Sequence, residues 1–402
     1  MEISRYILAL NCGSSSLKFG LFNAQSLEQT LSGKVASKGL VGWDFKITGR
    51  DGEVLVNYPI AGQDSYAAVD EVINWFQSNK RLYPLAAIGH RMVQGGPDHR
   101  KPELIGEALL KSLDQLVYLA PNHLPTEIAV VKTVIKSFPG IPQVACFDTF
   151  FHAGLPPCAK YYALPNEYRA QGLIRYGFHG LSYEYIMKSL WRINASLSRK
   201  KIIIAHLGNG ASMVAVKNGV SIDTTMGISP VGGLVMSTRS GDIDPGVALF
   251  LLKQNKLSVE QLDDLLSKQS GLKAIAGTGD MEILLKDEHT DAKAREAVTA
   301  FCYQAKKQIG ALAAAMGGLD ALVFTGGIGE NSSIIRKYIC HGLDFLGISI
   351  NKVANEDGHQ VISEVEGKVK VCVLATNEER MIATHSQTFI KEQNIHQHHH
   401  ER

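Results

Sequence analysis

Hydrophobic and polar positions follow two periods along this chain. Tyr6-Ile-Leu-Ala-Leu10 is an apolar β-type run, Asn11 to Ser16 is a polar turn, and Leu17 to Phe22 is a second strand. The pattern predicts a hairpin with an Asn/Gly/Ser tip. The same shape returns at Lys201-Ile-Ile-Ile-Ala-His-Leu-Gly-Asn-Gly-Ala-Ser-Met-Val-Ala-Val216. With Gly13 set against Gly208 the two hairpins stand 195 residues apart, close to half of the 402 residues, and that spacing predicts a duplicated domain.

Turn-rich β pattern continues to about Ile60, and then helical spacing takes over. Val69, Val72, Ile73 and Phe76 follow a Ser65 N-cap. Leu109, Leu113, Leu116 and Val117 form a second stripe, and Ile128, Val131 and Ile135 a third that Pro139-Gly140 stops. Gln143 to Phe147 is a short apolar strand with Asp148 at its carboxyl end, the side of an open α/β sheet where ligands gather. Later, Val298, Phe301, Cys302, Ala305, Ile309, Leu312 and Met316 hold helical spacing as far as Gly317-Gly318. Strand Ala321 to Phe324 then runs into a glycine loop, Thr325 to Asn331. Helix, strand and loop in alternation predict layered α/β domains. The tail from His396 to Arg402 reads as a frayed polar terminus without a role.

Composition narrows the class. Forty-one Lys+Arg against 39 Asp+Glu give a net charge of +2, and 45% of residues are hydrophobic. Such a chain builds cores but projects no field for nucleic acid or a membrane surface. It has no uninterrupted apolar run long enough to span a bilayer and no basic-then-apolar leader. Its six cysteines are scattered without a CxxC pair. Reduced thiols and a cytoplasmic location are the expectation.

Three glycine-bearing segments each follow a strand: Asn11-Cys-Gly-Ser-Ser-Ser16, His206-Leu-Gly-Asn-Gly-Ala-Ser212 and Gly326-Gly-Ile-Gly-Glu330. Glycine lets backbone N–H groups close on an anion and the serine hydroxyls add donors, so the three together suit phosphates. No GxxxxGK[ST] loop and no HRD or DFG set is present, which excludes the P-loop and protein-kinase solutions.

In order along the chain, Asn11-Cys-Gly-Ser-Ser-Ser-Leu-Lys-Phe19, Gly89-His-Arg91, Phe147-Asp-Thr149, Arg175-Tyr-Gly-Phe-His-Gly180, His206-Leu-Gly-Asn-Gly210, Thr238-Arg-Ser-Gly-Asp242, Phe324-Thr-Gly-Gly-Ile-Gly-Glu-Asn331 and Thr376-Asn-Glu-Glu379 resemble the acetate kinase family from residue 6 to about 385. The resemblance implies the α/β fold of the acetate and sugar kinase, heat-shock-protein and actin superfamily: two duplicated RNase-H-like domains with an interdomain nucleotide cleft. An amino-terminal domain is expected at 1–147 plus about 380–402, and a nucleotide-binding domain at 148–379. A homodimer is also implied. So are ATP, Mg2+ with Mn2+ as the alternative metal, and reversible phosphoryl transfer to a small carboxylate.

The chemistry explains the residue types. A carboxylate acceptor is already ionised at neutral pH, roughly three units above its pKa, so no base is needed. Charge is the obstacle: two like charges 4 Å apart repel by about 4 kcal/mol at an effective dielectric of 20. By resemblance, Arg91 and Arg239 flank the acetyl and γ-phosphoryl positions, and His179 donates to the transferring group. Asp148 orients an arginine or holds water around the metal, and Asn11 and Glu378 stand on the metal side. ATP contacts fall on His206, Leu207, Gly208, Asn209 and Gly210, on Asp280, Met281 and Glu282, and on Gly326, Gly327, Ile328, Gly329 and Glu330. Lys18 is either a phosphate contact or a solvated strand residue. Arg91, Val93, Asn122, Phe178 and Pro230 fall on the acid pocket.

The sequence departs from the family near these positions. Asn122 replaces an apolar pocket leucine, Gln94 a histidine, Pro97 a glutamate, and Glu282 an arginine beside the nucleotide. Leu181 and Tyr183 stand for Thr and His, Gly232 for Glu, and Ser237 for Gly. Three readings follow: an acetate kinase, a kinase of propionate or another short acid, and a nucleotide-gated binding protein on the same fold.

Overall fold

The computed structural model describes residues 4–13, 16–37, 42–60 and 65–400, and divides into two compact units, 1–150 with 377–402 and 151–376. Asp148 and Glu378, expected in the second domain, therefore both belong to the first unit.

The first unit contains β1 (Tyr6–Cys12), β2 (Ser16–Asn23), β3 (Gln29–Ser37), β4 (Trp43–Gly49), β5 (Val54–Ile60), β6 (Leu85–Met92), β7 (Glu103–Leu104) and β8 (Gln143–Phe147). They form one sheet in the order β5-β4-β3-β2-β1-β6-β8-β7. From β1 to β5 neighbours are antiparallel, whereas β6 runs parallel to β1 and β8 parallel to β6. The helices Ser65–Ser78 and Leu124–Ser137 cover one face, where Val69, Val72, Phe76, Val130 and Val134 join Leu8, Leu10 and Phe19 in the core. The helix Glu378–His400 covers the other face. It lies close because β6 carries glycine there: a Cβ on Gly89 would sit 2.4 Å from Ile382 Cγ2 and 2.5 Å from Ser386 Oγ.

The second unit contains β9 (Lys201–Leu207), β10 (Ala211–Lys217), β11 (Val220–Thr224), β12 (Ala321–Thr325) and β13 (Lys370–Val373), in the order β11-β10-β9-β12-β13. The hairpin β9–β10 is antiparallel, and β12 and β13 run parallel beside β9. This is the arrangement of β3-β2-β1-β6-β8, so the repeat expected from the two hairpins is present as strand topology. The helix Gly180–Ile193 packs Tyr183, Ile186 and Leu190 on one face, and the long helix Ala292–Met316 covers the other. Cover on both faces is why Ile202, Ile203, Ile204 and Ala205 are all buried and β9 reads as a continuous apolar run.

Three expectations change. Gly326–Asn331 is a short helix rather than a loop; Gly326 enters it at φ +77°, where a Cβ would stand 2.7 Å from the Leu207 carbonyl oxygen. The second stripe ends its helix at Gln115, and Val117–Leu119 forms a separate 3-10 turn. The tail from His396, expected as a frayed terminus, has helical backbone to His400, continuing a helix whose first turns are anchored by buried Met381, Ile382 and Ala383. Glu401 and Arg402 lie outside the described residues, as do Ser14 and Ser15 of the first glycine segment.

Candidate active site

In the first unit the chemistry collects at the carboxyl ends of β1, β6 and β8. Arg91, on the penultimate residue of β6, donates from Nε and Nη2 to Asp148 Oδ2 at 3.0 and 2.6 Å, and from Nη1 to the Cys12 carbonyl at 3.1 Å. Asp148 is fully buried just beyond β8, and its backbone N–H continues the ladder to Met92 O at 2.9 Å. Burial works against the Arg91 charge, but Asp148 foremost, then Glu378 and Glu127, outweigh it and hold the guanidinium above its ordinary pKa. Every guanidinium nitrogen thus makes a bond within the protein, which fixes the direction of the remaining N–H groups.

Asn11, near the end of β1, donates from Nδ2 to Glu378 Oε2 at 2.8 Å and to Glu379 Oε1 at 2.9 Å. Burial raises the Glu379 pKa and the adjacent Glu378 charge raises it further, against the pull of Asn11 and Lys18. Lys18 is exposed on β2, directly across from Asn11. The two neighbouring carboxylates are hard oxygen donors of the kind that magnesium takes, and the Asn11 amide turns its Nδ2 to both. Among the described residues no group of three or more His, Cys, Asp and Glu is placed to hold a metal on its own.

The residue that sequence reasoning missed is Glu127. Only 4% exposed, it accepts a hydrogen bond from Val93 N at 2.9 Å. Burial pushes its pKa up to about 7; Arg91 and the Val93 bond oppose this, and Asp148 adds to it. The available signal was a carboxylate between Leu124, Ile128 and Val131, on the apolar stripe of its helix. Val93 is buried, whereas Asn122 lies exposed in the turn before that helix.

In the second unit His179 precedes the helix Gly180–Ile193 in the left-handed region, φ 58° and ψ 26°. Its Nδ1 is 2.8 Å from Ser212 Oγ, which also bonds the Tyr183 hydroxyl, and its ring stacks on His206 with centroids 4.3 Å apart. His206 Nδ1 is held in turn by Ser182 Oγ at 2.8 Å. Tyr183 and Ser182 thus brace the two imidazoles through the hydroxyl chemistry that β10 and the helix supply. Arg239 Nη1 donates to the Pro230 carbonyl at 3.1 Å. A Cβ on Gly210 would lie 3.4 Å from His179 Nε2 and 3.6 Å from Arg239 Nη1, so imidazole and guanidinium border one small space that glycine leaves open. Phe178 is buried beside them, and its carbonyl is 3.0 Å from His152 Nε2.

The nucleotide candidates separate into two groups. The segments after β9 and β12 adjoin: Gly208 N bonds Gly210 O at 3.1 Å, and a Cβ on Gly208 would lie 3.8 Å from Gly327 N. Asn209 ties to Ser237 Oγ, which reaches Gly279 O at 2.8 Å, just before Asp280. Other side chains are occupied within the fold. Leu207 and Met281 are buried, and Asp280 caps the helix Met281–Asp287. Glu282 pairs with Lys286 at 3.0 Å on the surface. Glu330 Oε1 accepts from Gly326 N at 2.8 Å and Thr376 N at 3.0 Å, so its carboxylate organises the turn, while Ile328 is half-buried.

The Acetokinase family model matches residues 6–384. The chain is 41% identical to an acetate kinase of Nitrobacter hamburgensis over 98% of its length and 99% of that relative. Among solved structures it is similar to a Porphyromonas gingivalis acetate kinase, with 37% identity, a TM-score of 0.85 and 96% and 100% of the two chains covered. It is also similar to a propionate kinase of Francisella tularensis, with 35% identity, a TM-score of 0.89 and 96% and 99% covered.

Proposed function

The chain belongs to the acetokinase family, and on that premise we propose that it transfers the γ-phosphoryl group of ATP to acetate, reversibly, giving acetyl phosphate and ADP. The observation that carries the reading is Arg91, held by Asp148 and the Cys12 carbonyl at the end of a buried parallel strand. A guanidinium so fixed meets an incoming carboxylate without having to reorganise, and it cannot lose its proton. Val93, buried beside Arg91, supplies apolar surroundings for the acyl group, a role that the family pattern also gives to Phe178 and Pro230.

The acceptor oxygen is already anionic, so the work is electrostatic. Arg239 and His179 donate to the transferring phosphoryl oxygens, with Ser212 and the stacked His206 holding the imidazole in place. Asp148 serves as the orienting partner of Arg91. The backbone turns at His206–Gly210 and Gly326–Gly329 receive the nucleotide, with Asp280, Met281 and Glu282 beside it and Lys18 toward its phosphates. Asn11 and Glu378 would hold Mg2+, or Mn2+ in its place, which when bound neutralises phosphate charge.

Propionate is the second reading, because the position where the family carries a pocket leucine holds exposed Asn122, and one methylene is worth only about 1–3 kcal/mol of discrimination. A hydroxamate trap with ATP, Mg2+ and acids of one to four carbons tests both. Trapped product with acetate at millimolar concentration is expected. Product only with longer acids moves the assignment to the second reading, and ATP hydrolysis without any trapped acyl group refutes both.

We place the enzyme in the cytoplasm as a homodimer. The six cysteines are free thiols, five of them buried, as a reducing compartment allows. The helix Pro245–Lys253 exposes Val247, Leu249 and Phe250, an apolar face suited to a second copy of the chain.

A further inference from the structure

Two of the residues assigned to the acid stand where the chain leaves the sheet: Arg91 on β6 and Val93 at the start of the segment after it. The backbone of that segment is then satisfied by side chains in place of a strand. Val93 N donates to Glu127 at 2.9 Å, Gly95 N to Thr149 Oγ1 at 3.2 Å and Gly96 N to Gln94 Oε1 at 2.9 Å. On the other edge Met92 O accepts from Asp148 N. Of these side-chain acceptors Glu127 alone is ionisable, and it comes from a helix that also packs in the core of the same sheet. A neutral acceptor would satisfy Val93 N equally well, so the use of a carboxylate, buried and in the field of Arg91, calls for a second effect.

We propose that Glu127 is a positioning residue of the acid subsite, pinning the backbone of Val93 and setting, through its charge, how strongly Arg91 attracts an anionic acceptor. The inference rests on the acid-kinase reading. The charged and titratable groups facing Glu127 are Arg91 from β6, Asp148 after β8 and Cys12 at the end of β1. Burial pushes the Cys12 thiol up to about 11, so it stays neutral at working pH. Glu127, with a pKa near 7, changes charge within the range where the enzyme is assayed. Ionised, it offsets Arg91 and opposes a second anion; protonated, it keeps the Val93 bond through its carbonyl oxygen and leaves Arg91 stronger.

The test is steady-state kinetics of the full chain as wild type, Glu127→Gln and Glu127→Ala, with the acid and ATP varied separately between pH 6 and 8. For wild type the KM for acetate rises several-fold across that range, and for Glu127→Gln it stays flat. Glu127→Ala, which removes the acceptor as well, raises the acetate KM at least ~10-fold with the ATP KM within about twofold. An acetate KM in Glu127→Ala within twofold of wild type overturns the proposal. So does a Glu127→Gln profile that follows wild type, and this arm decides if the alanine variant does not fold. Wild type that uses another short acid refutes the acetate assignment alone, and the same comparison is then made with that acid. Wild type that phosphorylates no acid refutes the function and the inference together.

Discussion

A histidine sealed from water without an opposing charge refuses a proton, and His152 is such a residue. It is 1% exposed, between Ser221 Oγ at 2.9 Å and the Phe178 carbonyl at 3.0 Å, and burial lowers its pKa to about 4; the Phe178 bond opposes this and Arg175 reinforces it. The unfolded chain takes up that proton below about 6.5. Stability from this site is therefore complete above pH 6.5 and is lost as pH falls through 4, by about 3 kcal/mol in full. His90 in the first unit, lowered to about 4 chiefly by burial, acts with the same sign. Urea midpoints at pH 7.5 and 4.5 check this: His152→Asn narrows the difference between the two, and an unchanged difference refutes the account. His152 was not legible as a buried group, because the segments that bury it are distant in sequence, and Glu127 was passed over although the apolar stripe of its own helix marks it. Asp148 was legible at the end of a predicted strand, whereas Arg91 was named only through the motif Gly89-His-Arg91.

At the level of elements, the site depends on how closely the helix Glu378–His400 lies on β6. Gly89→Ala would place a methyl inside the contact distance of Ile382 Cγ2 and Ser386 Oγ and 3.3 Å from the Ile382 carbonyl oxygen, on successive turns of the helix. Overpacking of this kind costs about 1–3 kcal/mol. The expected outcome is a lower urea midpoint with weakened activity, since the same helix carries Glu378; a variant as stable and active as wild type would show the approach to be loose. The hairpins and the helix Ala292–Met316 were legible from their periods, whereas β6 and the helix Glu378–His400 were not predicted. The segment Gly326–Asn331 was not, since its glycines argue against a helix locally. The helix exists because Glu330 accepts from its first N–H and from Thr376, a partner that sequence spacing does not reveal.

For the whole molecule, the recurrence of two hairpins 195 residues apart carried the strongest message, and the shared strand order β3-β2-β1-β6-β8 and β11-β10-β9-β12-β13 is its physical content. Association is the property expected at this scale. Phe250 is 59% exposed on the helix Pro245–Lys253, the face proposed above for a second copy. Phe250→Glu is expected to raise the dimer dissociation constant at least ~10²-fold in sedimentation equilibrium, the scale of a central aromatic contact. A wild type that is monomeric at tens of micromolar, or a variant that remains dimeric, would refute that surface. Because residues 377–402 return to the unit begun by residues 1–150, the order of synthesis matters to this protein. The ribosome releases residues 151–376 as a complete segment while the Gly89 face of the earlier sheet still lacks its last helix. Nascent chains thus keep that face uncovered until residues 377–402 have emerged, and that interval is when chaperones have something to hold.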